Sequence, residues 1–113
     1  MISRSVAEDN EGLQLSIGTR KSDEYLREMM VSTNKSLPEP FKVDLWDVTG
    51  RSGSDYASFT EINIPILTFN TGLHNDYHTS RDVASKADFR KMGNVLKLVY
   101  DSLQFFTEKL KGN

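Results

Sequence analysis

A chain of 113 residues has the length of one domain, so we predict a single domain over residues 1–113. Hydrophobic residues make up 37% and charged residues 27%, which is typical of a globular protein with a thin core. The net charge of -2 comes from interspersed acidic and basic residues, so nucleic acid is not an expected partner. Because the sequence has no cysteine, disulfides and thiolate chemistry are excluded, and any metal would be held by His, Asp or Glu.

Membrane and export signals are not evident in the sequence. No stretch approaches the ~20 apolar residues that a membrane span requires, so a membrane is not an expected partner. Residues 1–30 contain no continuous apolar segment of the kind found in export signals. We therefore expect a soluble chain. The sequence does not indicate a cellular compartment, and it is compatible with a secreted or periplasmic parent protein.

The first third of the chain predicts two strands followed by a helix. Met1 and Ile2 begin one apolar strand, and residues 13–17 alternate apolar and polar side chains as a second, so the two resemble a hairpin. Ser22 is the expected N-cap of the helix, whose apolar residues recur at helical spacing until a polar, proline-containing stretch ends it at about residue 36.

The rest of the chain predicts two more strands and a long helix. Residues 41–48 alternate as a third strand, and residues 62–69 form a nearly unbroken apolar run that is typical of a central, doubly covered strand. Apolar residues at steps of three and four predict a long amphipathic helix from Phe89 to Leu110. The expected fold is therefore α/β, with helices packed on a partial mixed sheet of about four strands.

Both histidines of the sequence lie in the loop of residues 70–84. His74 and His78 are four residues apart, with Asp76 and Tyr77 between them and Asp82 four residues beyond. Imidazoles bind zinc and carboxylates orient them, so this cluster is a candidate part of a metal site. Spacing alone favours surface or structural histidines, because a catalytic zinc needs about three protein ligands.

A second candidate lies in the loop after the third strand. Ser54, Asp55 and Tyr56 have the composition of a ligand-binding turn. The same Ser-Asp pair is also a common cap for a short helix, and that structural interpretation is the one we prefer on the pattern alone.

Together these motifs resemble the co-catalytic di-zinc aminopeptidase family, which includes glutamate carboxypeptidase and, as non-peptidase relatives, glutaminyl cyclase and the transferrin receptor. The residues that carry the resemblance are, in order, Gly53-Ser54-Asp55, Phe59, Ile64-Pro65-Ile66, the run from Thr71 to Thr79, and Asp82. The resemblance implies that the chain corresponds to the C-terminal half of such a protein. It also implies half of a phosphorylase/hydrolase-like zinc-peptidase fold.

The resemblance also implies roles for individual residues. His78 matches a zinc ligand of the family, and Tyr77 matches the residue that stabilises the oxyanion formed at the scissile carbonyl. His74, Asp76 and Asp82 would support that loop. Ser54, Asp55 and Tyr56 would lie on the substrate side, although relatives commonly have His where this chain has Tyr56.

Other parts of the family's catalytic set have no match in this sequence. The family's earlier His-x-Asp pair, which precedes the segment matched here, and its Glu-Glu pair are not found, and Met1 to Arg4 resemble the residues directly after its last Asp ligand. We therefore expect a fragment of a zinc aminopeptidase-like hydrolase, whose parent cleaves N-terminal residues from peptides. The chain alone should be inactive and bind zinc weakly or not at all. The alternative is a stand-alone, non-catalytic α/β interaction module derived from the same fold.

The resemblance finally implies a partner surface. The first strand would lie inside the parent's sheet, so its edge and some apolar faces would be uncovered in this chain. Exposed edges and apolar faces favour pairing, and we therefore expect a homo-oligomer.

Overall fold

The computed structural model describes residues 2–9, 11–73 and 75–111. These residues form an α/β structure, which confirms the predicted class. In chain order the elements are strand β1 (Gln14–Thr19), helix α1 (Glu24–Lys35), strand β2 (Lys42–Asp47), helix α2 (Tyr56–Glu61), strand β3 (Thr68–Asn70), a 3-10 turn (Ala84–Lys86) and helix α3 (Phe89–Lys111).

The sheet is mixed, and its order is β2-β1-β3. Strand β1 pairs in parallel with β2 along its whole length, and antiparallel with β3, where Ser16 faces Asn70 and Gly18 faces Thr68. The described residues form three strands rather than the expected four. The central strand is β1, which is consistent with its nearly continuous burial from Leu15 to Thr19.

The prediction that residues 62–69 form the central strand is wrong. Only residues 68–70 pair with the sheet, at its edge, while Ile62 is 69% and Ile64 41% exposed. Two features explain the difference. Asn63 has a left-handed backbone (φ 64°) that turns the chain after α2, and Pro65 has no N–H group to donate to a sheet.

The predicted first strand is not found at Ile2, and Met1 lies outside the described residues. Instead, residues 2–9 run beside the loop after β3, and the Asp88 N–H donates to the Ser3 carbonyl at 2.6 Å. The hairpin expectation failed because Arg4 and Ser5 hydrogen-bond to Thr71 and Lys91, more than 60 positions away, and the segment forms no strand beside β1.

Of the two predicted helix caps, the first is replaced and the second lies within the predicted Ser54-Asp55 pair. The N-cap of α1 is Asp23 rather than Ser22, and Asp23 makes no side-chain cap bond because its carboxylate binds the Arg20 guanidinium. Asp55 is the N-cap of α2, again without a side-chain cap hydrogen bond.

The core lies on one face of the sheet. Leu15 and Ile17 of β1 point to that face and are almost fully buried, and α1 and α3 cover them. The buried apolar cluster comprises Leu15, Ile17, Leu26, Met29, Met30, Leu37, Phe41, Val95 and Leu98. In the described ranges, no helix has both the length and the apolar character to cross a membrane.

Candidate functional site

The candidate loop begins at the end of the sheet where β1 starts. Because β3 runs antiparallel to β1, the chain leaves β3 at Asn70, beside Ser16, and continues toward residues 2–9. The Asn70 side chain accepts a hydrogen bond from the Gly72 N–H at 2.6 Å and so fixes the first turn of the loop. Both Tyr77 and His78 follow in this loop.

Short-range hydrogen bonds hold the loop in shape around Asp76. The backbone N–H and the hydroxyl of Thr79 both donate to the Asp76 carbonyl, at 3.0 and 2.6 Å. The Asp82 N–H donates to the Thr79 carbonyl at 3.2 Å, which adds a further turn. Residues 76–82 are therefore a closed series of turns, and the side chains between them project outward.

Tyr77 and His78 present their rings together at the surface. Their ring centroids are 3.9 Å apart and the planes differ by 17°, which is a stacked arrangement. His78 has φ 55°, a left-handed backbone conformation that residues other than glycine rarely adopt. Both residues are exposed. The turn therefore holds an imidazole and a phenol close together and accessible.

A cluster of cations surrounds the carboxylate of Asp76, which precedes these two residues in the loop. Lys86 Nζ lies 2.9 Å from Oδ2, Arg4 Nη2 lies 3.0 Å from Oδ2, and Arg81 Nε lies 3.2 Å from Oδ1. The hydrogen bonds from Lys86, and then from Arg4, hold the pKa of Asp76 far below its usual value, and they outweigh the opposing effect of burial. Asp76 is thus a permanent anion at neutral pH.

Arg4 links the two carboxylates of the loop. Its Nη1 atom donates to Asp82 at 2.8 Å while Nη2 donates to Asp76. The hydrogen bond to Asp76 is the main reason that the pKa of Arg4 is raised above its already high value. Its backbone carbonyl accepts a hydrogen bond from the Thr71 hydroxyl. One residue of the N-terminal segment therefore clamps both ends of the candidate loop.

A buried ion pair anchors this N-terminal segment to α3. Lys91 Nζ lies 2.7 Å from Asp9 Oδ2, with the two side chains 1% and 3% exposed, and it also donates to the Ser5 hydroxyl at 2.9 Å. Asp9 accepts two backbone N–H groups, from Leu13 at 3.0 Å and Gln14 at 3.1 Å. Burial alone would raise the pKa of Asp9, but the hydrogen bonds from Lys91 and from the backbone outweigh it and lower that pKa.

Sequence reasoning did not identify Arg4, Asp9 or Lys91. Lys91 carried a detectable signal, because it stands four and seven residues before Val95 and Leu98 on the buried face of α3. A lysine in phase with core residues predicts a buried anionic partner. No comparable pattern marks Arg4.

The second candidate loop lies at the opposite end of the sheet. Ser54, Asp55 and Tyr56 follow β2, and β2 ends where β1 ends because the two strands are parallel. The Tyr56 ring meets Trp46 edge-on, with centroids 6.4 Å apart, and its hydroxyl donates to the Ser52 carbonyl at 3.3 Å. The structure thus brings Asp76, Tyr77, His78 and Asp82 into one loop but keeps them apart from Ser54, Asp55 and Tyr56.

The donors near His78 do not fit a catalytic zinc as they stand. His74 lies outside the described residues, and within the part of the chain that is described no three His, Asp, Glu or Cys side chains converge on a common point. Asp76 and Asp82 already bind Arg4, and Asp76 also binds Lys86 and Arg81. A catalytic zinc needs about three protein ligands and an open position. That His78 is a ligand stays a prediction.

Comparison with known proteins identifies the class of scaffold. The sequence model of peptidase family M28 matches residues 6–103, which includes the strands, α1 and the whole candidate loop. No curated protein and no solved structure matches the chain. The chain therefore belongs to peptidase family M28, whose peptidases are in general zinc-dependent. The resemblance to zinc peptidases is confirmed at this level.

Proposed function

We propose that the chain corresponds to the C-terminal part of an aminopeptidase-type member of family M28, and that the Tyr77–His78 turn is its contribution to the catalytic centre. The observation that carries this proposal is the stacked, outward-facing pair of rings in a loop that the family match covers. His78 would hold zinc through a ring nitrogen, and bound zinc would activate water and polarise a peptide carbonyl. The Tyr77 hydroxyl would donate a hydrogen bond to the oxyanion. A peptide with a free N-terminus is the proposed substrate of the complete catalytic domain.

The chain alone does not hydrolyse peptides in this proposal. Hydrolysis by zinc requires a fixed ligand set and a general base within reach of the bound water. Among the described residues, the carboxylates nearest in sequence to His78 are occupied by arginine and lysine side chains. A divalent ion would have to displace these cations before Asp76 could bind it, so we expect weak zinc binding.

A second candidate function is that of a non-catalytic interaction module. The observation that favours it is Arg4, whose guanidinium satisfies both loop carboxylates within the same chain. A loop closed in this way is a rigid surface feature rather than an open ligand set. A peptidase-family scaffold can retain its fold after its chemistry is lost, because function depends on the site and not on the fold.

Aminopeptidase assays on the purified chain test the proposal. We expect no release of chromophore from amino-acid anilides with or without added zinc, and calorimetric zinc binding no tighter than a pair of surface histidines allows. His78→Ala should weaken that binding further, and His74→Ala serves as the matched control because these are the two histidines of the sequence. Turnover that disappears on chelation and in His78→Ala would contradict the proposed inactivity. Zinc binding that is lost in His74→Ala but unchanged in His78→Ala would contradict the assigned ligand.

A further inference from the structure

One side of α3 carries an exposed apolar stripe. Phe89, Leu96, Tyr100 and Leu103 are 70%, 58%, 62% and 60% exposed. Their steps of seven, four and three residues place them on one face, distinct from the buried face that carries Val95 and Leu98. This is the spacing of a coiled-coil seam, and it extends over about 21 Å of helix.

The stripe continues into an apolar groove of about 430 Å³ between α1, α3 and the segment before β3. Leu103 belongs to both features, so stripe and groove are one surface.

The exposed area of this surface is that of an interface. Large apolar and aromatic side chains present about 200 Å² each, so four that are more than half exposed offer roughly 500 Å² per copy before the groove is counted. Two copies would bury about 1,000 Å² from the stripe alone. Contacts along its flank and at the groove rim would add to this area, and specific dimers bury about 1,200–2,000 Å² in total.

Charges beside the stripe define the orientation of the occupant. At 100° per residue, Arg90, Lys97, Asp101 and Glu108 share the same flank of α3, with the bases in its first half and the acids in its second. An antiparallel second copy would place each basic half beside an acidic half, whereas in a parallel pair the two charged flanks would lie on opposite sides of the interface and could not pair with each other. Arg90 contacts Glu39 and Lys97 contacts Asp101 within one chain, so dimer formation would add partners to exposed pairs.

We propose that α3 of a second copy of this chain covers the stripe, antiparallel, about a two-fold axis close to Tyr100. In such a pair Lys97 lies beside Asp101 of the second copy and Arg90 beside Glu108, and the two-fold axis repeats both contacts. Leu96 and Leu103 pack on either side of Tyr100 at the centre.

The sheet edges are the less suitable surface for pairing. The outer edge of β2 carries Lys42, Asp44 and Asp47, and charged side chains on an edge strand oppose edge-to-edge pairing. Strand β3 has only three residues. Of the two routes to a homo-oligomer that the sequence suggested, the helix stripe is therefore the one that we propose.

Light scattering during size exclusion, over a wide range of concentrations, tests the proposal. We expect the mass to rise from 12.8 kDa toward twice that value as concentration increases. Leu96→Glu and Tyr100→Glu should each raise the dimer dissociation constant by about tenfold or more, because each puts a charge at the centre of the interface. Ile62→Glu is the matched control, since Ile62 is as exposed but lies outside the stripe. Circular dichroism verifies that each variant is folded.

Charge-reversal variants test the same interface without changing its apolar side chains. Lys97→Glu and Asp101→Lys should each weaken self-association, while a mixture of the two variants should form heterodimers. A mass that stays at 12.8 kDa up to the highest soluble concentration would overturn the proposal. So would a dimer that responds to Ile62→Glu but not to Leu96→Glu or Tyr100→Glu, because another surface would then be the interface.

Discussion

Replacing Lys91 by methionine tests how strongly the N-terminal segment is tied to the core. Lys91 donates to Asp9 at 2.7 Å and to Ser5 at 2.9 Å, and its side chain is 1% exposed. Methionine keeps the unbranched apolar stem but removes the charge and the donors. The Asp9 carboxylate then stays buried with its two backbone hydrogen bonds and without a counter-charge.

The loss of unfolding free energy expected for Lys91→Met depends on the hydrogen bonds that Asp9 retains. Removing one partner of a buried ion pair costs about 3–5 kcal/mol, because the other charge is left uncompensated. Asp9 still accepts the N–H groups of Leu13 and Gln14, which partly stabilise its charge, so we expect the lower end, about 3 kcal/mol. Whole domains have free energies of unfolding of about 5–15 kcal/mol, so this one change would remove a large share.

Urea unfolding at neutral pH measures this cost. We expect Lys91→Met to lower the midpoint at an unchanged slope, which reports a change in stability alone. Lys97→Met is the matched control on the same helix, because its pair with Asp101 is largely exposed and should contribute less than about 1 kcal/mol.

The double variant Asp9→Asn/Lys91→Met separates charge from packing. Because it leaves no uncompensated charge, its midpoint should lie above that of Lys91→Met. If Lys91→Met unfolds within about 1 kcal/mol of the unmodified chain, or if the double variant is the less stable of the two, the ion pair does not anchor the segment as argued.

Two further predictions concern the clamp around the candidate loop. Gly72 has φ 93°, and an added Cβ would lie 2.5 Å from Val6 Cγ1, so Gly72→Ala should lower the free energy of unfolding by about 1–3 kcal/mol. Gly50→Ala, at φ 73° with open space around it, should cost less in the same urea titration, and an equal loss would contradict the contact with Val6. The pKa values of Asp76 and Asp9 are lower in the folded chain than the ordinary value of about 3.9, so their stabilisation is complete above that pH and is lost as the pH falls through the folded values. Free energies of unfolding measured from neutral to acidic pH should therefore drop below about pH 4, and less steeply in Asp76→Asn; an acid limb of unchanged slope in that variant would refute this assignment.

The elements that sequence reasoning identified are those with a local signal. The periodicity of α3 predicted residues 89–110, and the helix spans Phe89–Lys111. Residues 41–48 predicted β2, which spans Lys42–Asp47. The prediction for residues 62–69 was wrong because a continuous apolar run indicates burial but not strand pairing. Pro65 and the turn at Asn63 keep most of this run out of the sheet.

For the candidate loop, the sequence predicted the position of the residues but not the contacts of their side chains. The motif order placed Tyr77 and His78 in the loop after the last strand, and the structure agrees with that placement. The contact of Asp76 with Arg4 could not be inferred, because Arg4 lies 72 positions away and shares no motif with it. Contacts at such separation depend on the path of the whole chain, and the strand predicted from Met1 and Ile2 was expected to pair with residues 13–17 instead.

The cations around Asp76 affect whether this member of the family could bind a catalytic metal. Arg4, Arg81 and Lys86 all place positively charged nitrogens within 3.2 Å of the Asp76 carboxylate. A divalent cation brought to that carboxylate meets the same charge sign at close range, and it competes with three existing hydrogen bonds for the carboxylate oxygens. In this arrangement the anions beside His78 stabilise the loop rather than a metal. The match to family M28 therefore defines the scaffold, while catalysis would require carboxylates that are not already bound to cations.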